Sequence, residues 1–188
     1  MSRGLGDVYK RQTRAFEMVS LRSPGVDPTR LLNVIGELSL VAGAPGLVGG
    51  QGVDLECEGK EVDLETLEYI HLHKTGALLK ACVRTGAMIA GANKKLLHAL
   101  TTYAEGIGLA FQIIDDILDL TSSSEKLGKT AGKDLLADKT TYPKLLGMDE
   151  SKRRAFDLVE KAKKAIEPWG TDAKYLISLA DFITNRDR

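Results

Sequence analysis

The sequence predicts an all-α protein. Runs that alternate apolar and polar residues are scarce, and no hairpin signal stands out. Long segments instead repeat apolar residues with a helical period, between cap and breaker residues. In chain order, residues 13–21 read as the end of a helix. Ser23-Pro24-Gly25-Val26-Asp27-Pro28 is a turn that caps the next helix, 28–42. The glycine-rich stretch 43–52 is expected to break that helix, with an acidic loop running on to Asp63. Asp63 suits an N-cap for a long helix over 64–90. Gly91-Ala92-Asn93 interrupts, and a second long helix is expected over 94–121. Gly128 and Gly132 punctuate a lysine-rich loop, and Tyr142-Pro143 opens a short helix. Amphipathic helices over 150–167 and 171–184 close the chain.

A chain of 188 residues is one domain or part of a larger one, and 43% hydrophobic residues suffice for a core. A formal net charge of zero argues against a nucleic-acid partner held by bulk charge. Cys57 and Cys82 lack metal-ligand spacing and are expected to be reduced thiols of a cytoplasmic protein. No membrane span is expected, since no uninterrupted apolar run reaches roughly 18–20 residues. Residues 1–12 have neither an amphipathic period nor a secretory apolar core. They look like adaptor or vector sequence, so a non-native or disordered leader is expected there, and a single domain over 13–188.

Phe111-Gln112-Ile113-Ile114-Asp115-Asp116-Ile117-Leu118-Asp119 is the most informative segment. No Lys or Arg occurs between Tyr103 and Glu125. On a helix, Asp115 and Asp119 are one turn apart, a like-charge spacing that costs roughly 0.2–0.5 kcal/mol. The remaining circumference is apolar, so the acidic stripe must face a wet cavity, a cation or a basic partner. Spaced carboxylates suit a hard ion such as Mg²⁺, with Mn²⁺ as a substitute, while the alternating-ligand loop of an EF-hand is absent. The bland alternative is a solvated face.

Lys74 falls on the helix face of Leu67, Ile70, Ala77, Leu78 and Ala81, whereas Lys80 and Arg84 fall on a face expected to be solvated. Such a lysine either snorkels or points into a cavity toward an anion, with the Thr75 hydroxyl beside it. The loop after the acidic stripe adds Lys126, Lys129, Lys133, Lys139 and Lys144, with glycines giving backbone freedom beside positive charge. Acidic helix, lysine and basic loop together suggest a metal ion bridging carboxylates to a polyphosphate.

At this point the chain resembles the C-terminal part of a trans-isoprenyl diphosphate synthase, of the bacterial short-chain farnesyl diphosphate synthase (geranyltranstransferase) type. The matching motifs are Gly49-Gly50-Gln51 with Asp54, His73-Lys74-Thr75-Gly76, Phe111-Gln112 through Asp119, Gly128-Lys129, Lys139-Thr140-Thr141-Tyr142-Pro143, and the ending from Ala180 to Arg186. The resemblance implies an antiparallel helical bundle around a deep cavity, the isoprenoid synthase fold. It implies condensation of isopentenyl diphosphate with an allylic prenyl diphosphate, and a homodimeric parent protein. It assigns Asp115, Asp116 and Asp119 to the metal site, Asp115 and Asp119 facing the ion and Asp116 nearby or hydrogen-bonding ordered water. It assigns Lys74, Lys129 and Lys139, with Thr75 and Gln112, to the allylic diphosphate. It names Ala77, Leu78 and Phe111 as candidates to line a prenyl-tail cavity, against the stronger expectation of plain core packing. The first aspartate-rich motif of that family has no counterpart in this sequence, so the chain alone is expected to be inactive. A geranylgeranyl or longer-chain synthase, a terpene cyclase-like protein and a non-catalytic subunit are the alternatives.

Overall fold

The computed structural model describes residues 3–126 and 140–186, and all the regular elements among them are helical. They are α1 (Arg3–Leu21), α2 (Pro28–Ala42), α3 (Leu47–Glu56), α4 (Leu64–Ile70), a π-helical turn (His71–Gly76), α5 (Ala77–Ala90) and α6 (Lys94–Lys126). After residue 139 come α7 (Tyr142–Leu146), α8 (Met148–Ile166), a 3₁₀ stretch (Glu167–Ala173) and α9 (Lys174–Asn185).

The boundaries follow from local chemistry. Asp27 caps α2 by accepting from the amides of Thr29 and Arg30 at 2.9 and 3.2 Å, and Asp63 caps α4 by accepting from Thr66 at 2.9 Å. Gly91 ends α5 at φ 80°, a left-handed conformation that favours glycine. The Asn93 side chain then accepts from the Leu96 amide, inside the start of α6.

Two expectations are corrected. Residues 47–56 are a helix rather than part of a broken, acidic loop. Gly49 and Gly50 serve close packing: a Cβ on Gly50 would lie 2.3 Å from the Lys74 amide nitrogen. Packing overrides weak intrinsic propensity. The stretch Pro28–Glu56 is also long and apolar enough, by composition, to pass for a membrane span. Gly43 and Gly46 leave helical backbone, however, and divide it in two. The longer piece, α2, is 15 residues, or about 22 Å, against the roughly 30 Å of a bilayer core. Finally, Arg84 is not on a solvated face. It donates to both carboxylate oxygens of Glu37 at 2.5 and 3.1 Å and to Thr101 at 2.6 Å, because α2 covers that side of α5.

The core sits where α6 meets α8. Tyr103, Ile107, Ala110, Ile113, Ile114 and Ile117 of α6 pack with Ala155, Val159, Ala162 and Ile166 of α8. Small residues permit the approach: a Cβ on Gly106 would be 3.0 Å from the Leu158 carbonyl and 3.1 Å from the Ala162 Cβ. Tyr103 is fully buried and donates its hydroxyl to the Leu176 carbonyl of α9 at 2.6 Å. This seam leaves the Asp115–Asp119 edge of α6 outside the core.

Candidate active site

The three aspartates of α6 have three different surroundings. The Asp115 side chain is 40% exposed and pairs through Oδ1 with the Arg186 guanidinium. Gln112 donates to its other oxygen at 3.5 Å. Arg186 also donates to the Phe111 carbonyl at 3.3 Å and lies over the Phe111 ring at 4.1 Å. Burial pushes the Asp115 carboxyl above its ordinary range. Arg186 opposes that shift, while Asp119 and Asp116 add to it. Asp119 is exposed and has no ion-pair partner among the described residues.

Asp116 is engaged within the protein. Its side chain is 12% exposed. Its Oδ2 accepts from the Tyr142 amide at 3.0 Å and lies 3.2 Å from His71 Nε2. The His71 ring stacks on Tyr142, with centroids 5.7 Å apart. The Tyr142 hydroxyl and Arg154 both donate to Glu68 Oε1 at 2.9 Å. Burial, reinforced by Glu68, pushes the Tyr142 phenol well above its ordinary value.

Lys74 rides on the π-helical turn, a distortion often found at functional sites. The turn breaks the single helical phase from which the sequence placed Lys74 among buried residues. Its side chain is 33% exposed, and Nζ donates to Asp54 Oδ2 of α3 at 2.5 Å. Thr75 beside it is half-buried. Thr140 bridges to the loop before α4, donating to the Lys60 carbonyl at 3.5 Å and accepting from the Val62 amide at 3.4 Å. The Thr141 hydroxyl is buried without a hydrogen-bond partner among the described residues. Lys129 and Lys139 lie outside the described residues. A cavity of 620 Å³ opens between α2, the π turn, α6 and α8, lined by Leu40, Val41, Leu72, Ala77, Leu109 and Leu158 among others. Of the apolar candidates, Ala77 lines it, Leu78 is exposed, and Phe111 lies beneath Arg186.

The donor set fits a hard divalent cation. Asp115 and Asp119 offer carboxylate oxygens one turn apart, Asp119 exposed and Asp115 paired with Arg186. No cluster of three His, Cys, Asp or Glu ligands exists among the described residues. Mg²⁺ commonly takes one or two carboxylates and fills its other positions with water and phosphate oxygens. The long-range partners come from far away in sequence: Arg186 for Asp115, His71 and Tyr142 for Asp116. Helical periodicity around α6 carries no signal for them.

The sequence profile described as polyprenyl synthetase matches residues 12–173. The chain belongs to the polyprenyl synthetase family. It is 54% identical over 173 residues to a dimethylallyltranstransferase of Fischerella ambigua (strain UTEX 1903), covering 92% of this chain and 50% of that one. It is 49% identical to a geranylgeranyl diphosphate synthase of Cyanophora paradoxa, covering 92% and 58%. It is 43% identical to the farnesyl diphosphate synthase of Escherichia coli (strain K12), covering 94% and 61%. Among solved structures it is similar to a geranyltransferase from Helicobacter pylori complexed with magnesium and isoprenyl diphosphate, at TM-score 0.72 and 28% identity, covering 92% and 56%. The chain therefore has the isoprenoid synthase fold, and it spans about half the length of the curated relatives it matches.

Proposed function

We propose that the chain is the C-terminal part of a trans-prenyltransferase that joins isopentenyl diphosphate to dimethylallyl or geranyl diphosphate, giving farnesyl diphosphate. The observation that carries this reading is the Asp115–Asp119 pair, one turn apart on α6, with Arg186 on Asp115 and no ion-pair partner on Asp119 among the described residues. Mg²⁺ or Mn²⁺ held by Asp115 and Asp119 would supply charge neutralisation to the diphosphate leaving group. Lys74 presents an ammonium, oriented by Asp54, to the outer diphosphate oxygens. Gln112 orients the Asp115 carboxylate, and Thr75 offers a hydroxyl beside Lys74. Lys129 and Lys139 add positive charge from the segment between α6 and α7. The cavity around Ala77, lined by Leu40, Val41, Leu72, Leu109 and Leu158 but also by Glu37, Lys80, Glu105 and Lys161, offers apolar surface for a prenyl tail. The relatives' names span farnesyl and geranylgeranyl synthases, so a geranylgeranyl product is the second reading. We assign the parent protein to the cytoplasm as a homodimer, and expect these 188 residues alone to be inactive.

Calorimetric titration of inorganic pyrophosphate with Mg²⁺ into the chain tests the site. Asp115→Asn is expected to remove the Mg²⁺ dependence. Lys74→Ala should weaken pyrophosphate by about tenfold, the worth of one charge-assisted hydrogen bond. Binding that ignores both substitutions would overturn the reading. Prenyl diphosphate formed by the chain alone would overturn its expected inactivity.

A further inference from the structure

The three aspartates of α6 are not equivalent, and the middle one serves the fold around the site. Asp115 and Asp119 are about 40° apart on the helix, while Asp116 is about 100° round from Asp115. Its Oδ2 takes two hydrogen bonds at once, from the Tyr142 amide at 3.0 Å and His71 Nε2 at 3.2 Å. Both donors are buried. The Tyr142 amide is one of the first N–H groups of α7, which a helix cannot satisfy internally. Thr141, at the N-cap, makes no side-chain capping bond, and Pro143 has no N–H to satisfy. The cap of α7 is therefore delivered from another helix, by Asp116.

We propose that Asp116 is a positioning residue: it tethers the start of α7 to the acidic helix, and Asp115 and Asp119 alone face the cation. This rests on the metal reading above only for the role of the other two aspartates. Redirecting the Asp116 carboxylate to a metal would strand two buried donors. The tether thus fixes the start of α7, three residues after Lys139 in the sequence, relative to the carboxylates. His71 completes the device: it stacks on Tyr142 while binding Asp116, so the α7 start is gripped through both its amide and its ring.

The test uses the chain itself with Mn²⁺ as the probe, read by electron paramagnetic resonance, and amide hydrogen exchange at Tyr142. Asparagine keeps one oxygen able to accept both bonds but is a poor substitute for a carboxylate ligand. Asp116→Asn should hold Mn²⁺ affinity and Tyr142 exchange within about threefold of the parent chain, whereas Asp115→Asn should weaken Mn²⁺ by at least about tenfold. Asp116→Ala should speed Tyr142 exchange by at least about tenfold, the loss of one charged hydrogen bond. The proposal is overturned if Asp116→Asn costs as much Mn²⁺ affinity as Asp115→Asn. It is equally overturned if Asp116→Ala leaves Tyr142 exchange unchanged. Should Asp116→Ala not fold, the Asp116→Asn comparison decides. Unchanged Mn²⁺ affinity in Asp115→Asn would sink the metal reading instead, and the exchange measurements would still decide the tether.

Discussion

Two glycines in the same helix should respond to alanine with opposite signs. Gly52 of α3 is exposed, and a Cβ there meets nothing within 4 Å. Gly52→Ala should stabilise the chain by about 0.5–1 kcal/mol, the helix-propensity and unfolded-entropy gain. Gly50, two residues earlier, is buried against the π turn. Its added Cβ would lie 2.3 Å from the Lys74 nitrogen and 2.8 Å from the His73 carbonyl carbon. Those are backbone atoms, so no rotamer change relieves the clash and α3 must move. Overpacking costs about 3 kcal/mol at the upper end of its usual range. The same propensity gain offsets about 1 kcal/mol, leaving a net loss of about 2 kcal/mol. In urea, with a slope of about 2–3 kcal/mol per M, the midpoint should fall by about 0.7–1 M for Gly50→Ala and rise by about 0.2–0.5 M for Gly52→Ala. Equal midpoints for the two variants would refute the close-packing argument.

Tyr103→Phe removes the hydroxyl that donates to the Leu176 carbonyl from a buried position. It should cost about 1.5 kcal/mol, lowering Tm by about 3–6 °C in a calorimetric scan. Arg84→Ala breaks the fork onto Glu37 that joins α5 to α2. A loss of about 2 kcal/mol is expected, with Arg84→Ala and Glu37→Ala together costing clearly less than the sum. Additive losses would show that the pair contributes nothing. Burial raises the phenol pKa of Tyr103 and Tyr142. A raised native value means stability that is intact below pH 10 and lost as pH climbs toward the native values. Absorbance titration at alkaline pH should show these two tyrosines ionising only with unfolding, and the Tyr103→Phe, Tyr142→Phe double variant should lose stability less steeply there. Ionisation of every tyrosine in one step near pH 10 would contradict this.

Legibility followed the range of the interactions. Cap chemistry is local, so Asp27, Asp63, Gly91 and Pro143 marked boundaries that the structure places within a few residues of those read from sequence. The helix α3 was missed because Gly49, Gly50 and Gly52 depress propensity, while the contact that compensates comes from the π turn some twenty residues away. The aspartate triplet was visible as a charge anomaly. Its division into open and tethered members was not, since Arg186, His71 and Tyr142 reach α6 from 71, 45 and 26 residues away. Lys74 was conspicuous as a cation, but its Asp54 partner needed the α3 helix to be seen first.

The π turn also sets the phase of everything after it. One residue more than an α turn needs advances the following helix by about 100°. Deleting a single residue between His71 and Gly76 would give a more regular helix, yet turn α5 about its own axis. Arg84 would swing away from Glu37, and Ala77 and Ala81 would leave the small core they share with Val41. The irregular turn is thus a phase setter between the site and the scaffold: the residue that looks surplus in the helix keeps two neighbouring surfaces in register.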